Sequence, residues 1–236
     1  MQYGVCAFAS LAAAAVLVSG CTPAPAARDP MVDAENQAQR EINHATSAVT
    51  RMWTEPGIAS LLGVARGVLV VPVYGRGAYF LGGQGGRGVL LLRKSATEWS
   101  QPAFYSLGGA TFGLQADAEG EPIALLLMTE DAVARFRDNT STWQLNAGTG
   151  LTVVGSSGGQ ALVSTNPHAD IVIWSGAKGY GGISAATTYI TPSATLDDAY
   201  YHRLVTNRQI LTGAVESPRT ANLREALAGA SSARYR

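Results

Sequence analysis

Residues 67–99 read GVLVVPVYGRGAYFLGGQGGRGVLLLRKSATEW, and the chain continues into Ser100-Gln101-Pro102. Three short apolar runs, Val68–Val73, Ala78–Leu81 and Val89–Leu92, alternate with glycine clusters suited to positive φ or close backbone approach. The pattern predicts consecutive antiparallel strands joined by tight glycine turns. Inside it, Gly83-Gln84-Gly85-Gly86-Arg87-Gly88 has the G-x-G-x-x-G spacing of a dinucleotide-binding loop. Such a loop needs a helix straight after the glycines to hold the pyrophosphate, and an acid about 20 residues further on. Here Val89–Leu92 continues as a strand, and Phe104–Gly108 carries no acid. Nucleotide binding is set aside, and no cofactor is expected.

A chain of 236 residues can bury a core that needs no disulfide staples, so one domain is the expectation. Lysine plus arginine equals aspartate plus glutamate at 17 each, which argues against broad capture of nucleic acid. The 27 glycines fit a β-rich domain with many turns.

The two cysteines do not form a pair with a structural purpose. Cys6 lies in an apolar segment, Val5–Val18, of signal-peptide length and too short to span a bilayer. Cys21 follows Leu17-Val18-Ser19-Gly20, which resembles a bacterial lipobox. The expected processing removes residues 1–20 and acylates Cys21, although the first four residues lack Lys or Arg and an ordinary cleaved signal peptide is the alternative. Several acyl chains anchor stably where one is marginal. With Thr22 in place of an aspartate after the cysteine, the expected location is the periplasmic face of the outer membrane.

Residues 21–28 then form the anchor and a Pro/Ala tether, residues 29–212 the domain, and residues 213–236 a helical tail. Asp29-Pro30 is a helix start, and Ala38, Ile42, Ala45, Val49 and Met52 share one face at helical spacing. Glu35 and Glu41 balance Arg40 and Arg51 on that helix, so packing on the domain is preferred to insertion in a membrane. A second helix follows Pro56-Gly57. Strands are expected over residues 103–115, 123–128, 143–154, 160–164, 171–174 and 182–189. Thr129 caps a helix over residues 130–137, Thr195 caps another from Leu196 to about Val205, Asn207–Leu211 adds a turn, and Ser217-Pro218 opens the last.

Several of these pieces together resemble the SYLF domain, a lipid-binding module. They are Val64-Ala65-Arg66-Gly67, Val70-Val71-Pro72, the glycine run from Gly82 to Val89, Trp99-Ser100-Gln101-Pro102 and Gly108-Gly109-Ala110-Thr111-Phe112-Gly113. Thr129-Glu130-Asp131-Ala132-Val133-Ala134-Arg135-Phe136 and Lys178-Gly179-Tyr180-Gly181-Gly182-Ile183-Ser184 complete the set, which runs from about Ile58 to Leu211. The resemblance implies a single α+β domain, mainly antiparallel sheet with short flanking helices, that binds phospholipid without catalysis. Eukaryotic relatives bind phosphoinositides and some bind actin; in an envelope lipoprotein, anionic phospholipids such as phosphatidylglycerol or cardiolipin are the expected partners.

Candidate chemistry is sparse. Gly155-Ser156-Ser157-Gly158-Gly159 has nucleophile-elbow spacing, and Asp170 and His202 follow in triad order, so a serine esterase is a remote alternative. The flanking runs read as strands, whereas the elbow needs a strand-to-helix turn. His44, His168 and His202 have no metal-ligand spacing, so no metal is expected. Cations sit at strand ends of the glycine-rich stretch: Arg66, Arg76, Arg87 and Arg93, with Lys94. Glycine loops admit an anion to backbone N–H groups and nearby cations can pair a phosphate. Arg66, Arg76, Arg87 and Lys178 are therefore the expected headgroup contacts. A scaffold that binds another envelope protein, anchored only through Cys21, is the other alternative.

Overall fold

The computed structural model describes residues 29–76, 84–109, 120–145, 151–157, 160–163, 169–178 and 188–229. Cys21, the signal segment, the expected strand at residues 78–81 and His168 lie outside them.

One sheet of nine strands organises the domain, in the order β5-β9-β3-β2-β1-β4-β8-β6-β7. Its centre is β1 (Gly67–Arg76), flanked by β2 (Gln84–Leu92) and β4 (Glu121–Leu127), both antiparallel to it. Outward on one side come β3 (Ala103–Gly109), β9 (Thr188–Pro192) and β5 (Trp143–Leu145). On the other side lie β8 (Ile171–Lys178), β6 (Leu151–Ser157) and β7 (Gln160–Val163). The pair β6–β8 is parallel, within a sheet that is otherwise antiparallel among the described strands. The domain is α+β, as expected. The glycines differ from expectation: Gly85, Gly86 and Gly88 lie within β2 and not in a turn.

The central strands are apolar at nearly every position because helices cover both faces. Phe104 and Tyr105 are consecutive in β3, so their side chains point to opposite faces. Phe104 meets Tyr200 of α4 (Ala194–Tyr201), ring centroids 5.5 Å apart. Tyr105 meets Phe136 of α3 (Glu130–Asp138) at 5.8 Å and donates its hydroxyl to the Phe136 carbonyl at 2.8 Å. Helix α1 (Pro30–Trp53) lies on the Phe104 face with α4 and α6 (Ala221–Leu227). Its Asp29 cap accepts from Met31 N at 2.9 Å, and Ala38, Ile42, Ala45, Val49 and Met52 are all buried. That apolar face is spent on the protein core, as its charge balance suggested. Short α2 (Pro56–Val64) follows it.

At its C-terminal end α1 is tied to the sheet by Arg51, which donates to Glu121 at 3.2 Å and to the Gly176 carbonyl. Buried Glu55 accepts from Trp174 Nε1 at 3.0 Å and lies 3.9 Å from Arg51. Helix α6 packs beside α1, where Trp53 Nε1 donates to the Ala226 carbonyl at 2.8 Å.

Helix α4 begins after Ser193 and ends at Tyr201, shorter than its sequence suggested. The reason is local. Asp198 accepts from Val205 N at 2.9 Å and draws the chain into a turn, with His202 in the left-handed region at φ 53°. Neighbouring Asp197 serves the sheet. Pairing of β3 with β9 stops at Tyr105↔Pro192, and beyond that point Asp197 Oδ1 accepts from Phe104 N at 2.9 Å. A carboxylate thus continues the ladder where the strand runs out.

Asp197 is fully buried, and its Oδ2 has no hydrogen-bond partner among the described residues. Burial, with Asp198 adding repulsion, raises its pKa well above the ordinary carboxylate range against the pull of the Phe104 amide. A carboxyl that titrates higher when folded contributes its full stability below the unfolded pKa and loses it as pH rises through the folded one. Asparagine keeps the acceptor for Phe104 N without a charge. The stability advantage of Asp197→Asn over the native chain is therefore expected to grow as pH rises above the ordinary carboxylate range, then level off. Urea midpoints of both chains across pH test this; a pH-independent difference would contradict it.

Candidate anion-binding cleft

Where β1, β2 and β4 come to the edge of the sheet nearest α3, the ladder extends past the strands through Arg66. Its N–H donates to the Leu127 carbonyl and its carbonyl accepts from Arg93 N, both at 2.7 Å. This anchors the Arg66 backbone while its side chain stays 59% exposed. The next two residues of interest follow β2 directly. Arg93 donates to the carbonyls of Leu62 and Ala65 at 2.7 Å each and to that of Ala96 at 3.0 Å. Its guanidinium lies 4.3 Å from the ring centre of buried Trp99. Ser100 holds that turn closed: its Oγ accepts from Leu92 N at 2.9 Å, and its own N–H donates to the Leu92 carbonyl at 2.7 Å. The Trp-Ser pair of the sequence motif thus fixes a cation in place. Burial draws the Arg93 pKa below its ordinary value, but a guanidinium stays charged.

Lys94 reaches the C-terminus of α5 (Asn207–Thr212). A Cβ placed on Gly213 would stand 2.4 Å from Lys94 Nζ, and Gly213 has φ 91°. The glycine both closes the helix and makes room for the ammonium beside carbonyls of negative partial charge. On the opposite wall, α3 starts at Thr129, whose Oγ1 accepts from Ala132 N at 3.2 Å. Its first residue, Glu130, lies 3.9 Å from Arg66 and 3.1 Å from Arg137. Arg137 is held from behind by Asp138, through Nε at 3.1 Å and Nη2 at 3.0 Å. These hydrogen bonds raise the pKa of Arg137 and lower that of Asp138.

Together these groups line a cavity of about 590 Å³, with Arg66, Arg93, Lys94 and Arg137 set against a single lining carboxylate, Glu130. Leu92, Val133 and Leu211 form an apolar floor. The size lies within the usual range of small-molecule sites, and the mixture of apolar floor and convergent charge suits an anion attached to an apolar body.

The four sequence-predicted cations do not converge. Arg66 is in the cleft. Arg87, half-buried in β2, lies toward α1, where its charge opposes the burial that raises the pKa of Glu41. Arg76 and Lys178 end β1 and β8 at the far edge of the sheet from Arg66. Arg93 and Lys94 were visible as strand-end cations, and Arg137 closes a capped helix; only the fold places them around one space.

The esterase constellation does not assemble. Asp170 precedes β8 and accepts from Thr129 at 2.9 Å, whereas Ser157 ends β6 beside Lys178 at the other end of β8. At roughly 3.3 Å per residue the two are about 26 Å apart. His202 lies in the helical layer, 3.3 Å from Glu35 and 3.2 Å from Arg219. No group of three or more His, Cys, Asp or Glu among the described residues could hold a metal.

The described residues form a small α+β domain with a cationic cleft. The chain belongs to the SYLF-domain family: the family model Ysc84, described as Las17-binding protein actin regulator, matches residues 108–230, half of the chain. Protein YSC84 of Saccharomyces cerevisiae is 27% identical over 161 residues, 67% of this chain and 34% of its own length. LAS seventeen-binding protein 3 of Saccharomyces cerevisiae strain YJM789 is 27% identical over 157 residues, 65% of this chain and 34% of its own. The chain thus spans about a third of the length of these relatives. No solved structure is significantly similar to it. The family match takes in the last helix, which lay beyond the stretch where the sequence resemblance was read.

Proposed function

We propose that this protein is a non-catalytic module that takes the headgroup of an anionic phospholipid into the cleft between β2, α3 and α5. Acylated Cys21 holds it on the periplasmic face of the outer membrane. The observation that carries this reading is four cations around an apolar-floored cavity, two of them, Arg93 and Arg137, held in place by hydrogen bonds. A headgroup phosphate would pair with Arg66 and Lys94 at the mouth, and the glycerol end would rest on Leu92, Val133 and Leu211. No helix among the described residues is long and apolar enough to cross a membrane.

The test is flotation of the full chain with vesicles of phosphatidylcholine alone and of phosphatidylcholine mixed with phosphatidylglycerol. An anchor is indifferent to headgroup; a cationic cleft is not. Near an anionic surface each Lys or Arg contributes about 1 kcal/mol. The doubly substituted Arg66→Ala, Lys94→Ala chain is therefore expected to lose roughly thirty-fold in preference for the anionic vesicles, at unchanged binding to the neutral ones. Equal flotation of the native chain with both vesicles would overturn the reading.

A second reading rests on the relatives, which are named for binding another protein. In that case the same cleft receives an acidic segment of an envelope partner, and the anchor does all the membrane work. Crosslinking from the cleft in intact envelopes, lost in the same double variant while flotation is unaltered, would favour it.

A further inference from the structure

We propose that Glu130 is a resident stand-in for the ligand, and that binding at the cleft is an exchange in which a phosphate bearing two free oxygens replaces its carboxylate. The inference rests on the headgroup reading above and specifies how that site is filled.

The geometry is that of a bridging anion. One oxygen, Oε1, is 3.1 Å from Nη1 of Arg137; the other, Oε2, is 3.9 Å from Nη1 of Arg66. The two guanidiniums come from different elements, one ahead of β1 and one in the last turn of α3, so the carboxylate spans the cleft. Both of its links are replaceable. Glu130 is 62% exposed and can swing into water, and its longer link to Arg66 is loose. Exposed ion pairs of this kind contribute little each.

Arg137 and Arg93 would stay in place once Glu130 leaves. Asp138 takes Nε and Nη2 of Arg137, so Nη1 alone is turned toward Glu130. Arg93 is fixed by three carbonyls and the Trp99 ring. A phosphate has the same two-oxygen reach as a carboxylate and can offer one oxygen to each guanidinium in a charge-assisted hydrogen bond. Glu130 also sits in the first turn of α3, where the exposed N–H groups favour negative charge from either source. Its neighbour Asp131 is an equally acidic first-turn residue that does not line the cavity. That contrast gives the control.

The experiment is calorimetric titration of the full chain with two soluble probes, monomeric dihexanoyl-phosphatidylglycerol and inorganic phosphate. Glu130→Gln is expected to bind about fivefold more tightly than the native chain, because it arrives without the carboxylate that bridges Arg66 and Arg137. Asp131→Asn is expected to leave affinity within twofold, and Arg66→Ala to weaken it. A gain with the lipid alone assigns the exchange to a membrane headgroup, and a gain with both assigns it to the phosphate group itself. A Glu130→Gln chain that binds no tighter, or an equal gain in Asp131→Asn, overturns the exchange while Arg66→Ala still reports on the cleft. Failure of every chain to bind either probe overturns the headgroup reading and the exchange together.

Discussion

Phe136→Ala is expected to lower the free energy of unfolding by about 4 kcal/mol, the middle of the range for deleting a buried aromatic ring. Phe136 is completely buried. Its ring meets Tyr105 edge-on at 5.8 Å and Trp143 at 5.0 Å, and such pairs add to the burial itself. With Ala132 and Val133 it forms the buried face of α3. The loss should therefore reach the cleft, since Glu130, Val133 and Arg137 ride on the same helix. Phe136→Leu fills most of the space without the ring contacts and is expected to cost about 1.5 kcal/mol. Urea denaturation followed by tryptophan fluorescence checks both. A Phe136→Ala midpoint within error of the native one would show that α3 is held by other means.

Gly86→Ala is expected to cost about 3 kcal/mol although it adds one methyl group. A Cβ at Gly86 would stand 2.5 Å from Val71 Cγ1 and 2.5 Å from the Val73 carbonyl oxygen. The valine could turn aside; a backbone oxygen in the central strand could not. Relief would need β1 and β2 to part, beside the irregularity that already interrupts their register between Val70 and Gly75. Gly63→Ala is the contrast. Nothing lies within 4 Å of its Cβ position, and the residue is in α2, so the substitution is expected to raise stability by about 0.8 kcal/mol. Opposite signs from the same chemical change would establish that close strand approach, not turn formation, selects glycine in β2.

That comparison shows where the amino-acid sequence is legible and where it is not. Apolar runs identified β1, the second half of β2, and β4, because strands covered on both faces are apolar at every step. Helix α1 was readable from its cap, its proline and a four-three spacing of small apolar residues. The glycines of β2 were not, since a glycine that lets strands approach and one that turns the chain look alike in sequence. The role of Asp197 is not legible in the sequence, because nothing local says that β9 stops one residue short of Phe104. The cleft was half visible. Arg66 stood out beside its glycine, but Arg93, Lys94 and Arg137 become neighbours only through pairings among β1, β2 and β4 and the packing of α3 on α5. Conversely, Arg76 and Lys178 resembled Arg66 in local context and are carried to the far edge by strand direction alone.

The place of β9 in the sheet has a kinetic consequence. Strands β1 to β3 follow one another closely in the chain and pair in order, so this part of the centre can assemble from short closures. The open side of β3 is then filled by β9, which arrives from much later in the sequence. Until it does, β3 presents a row of unpaired amides and carbonyls to any other nascent chain. Late closure of distant strands is slow and is the interval in which partly formed sheets associate with one another. Escape from aggregation is therefore expected to depend on the arrival of β9, however early its neighbours have paired.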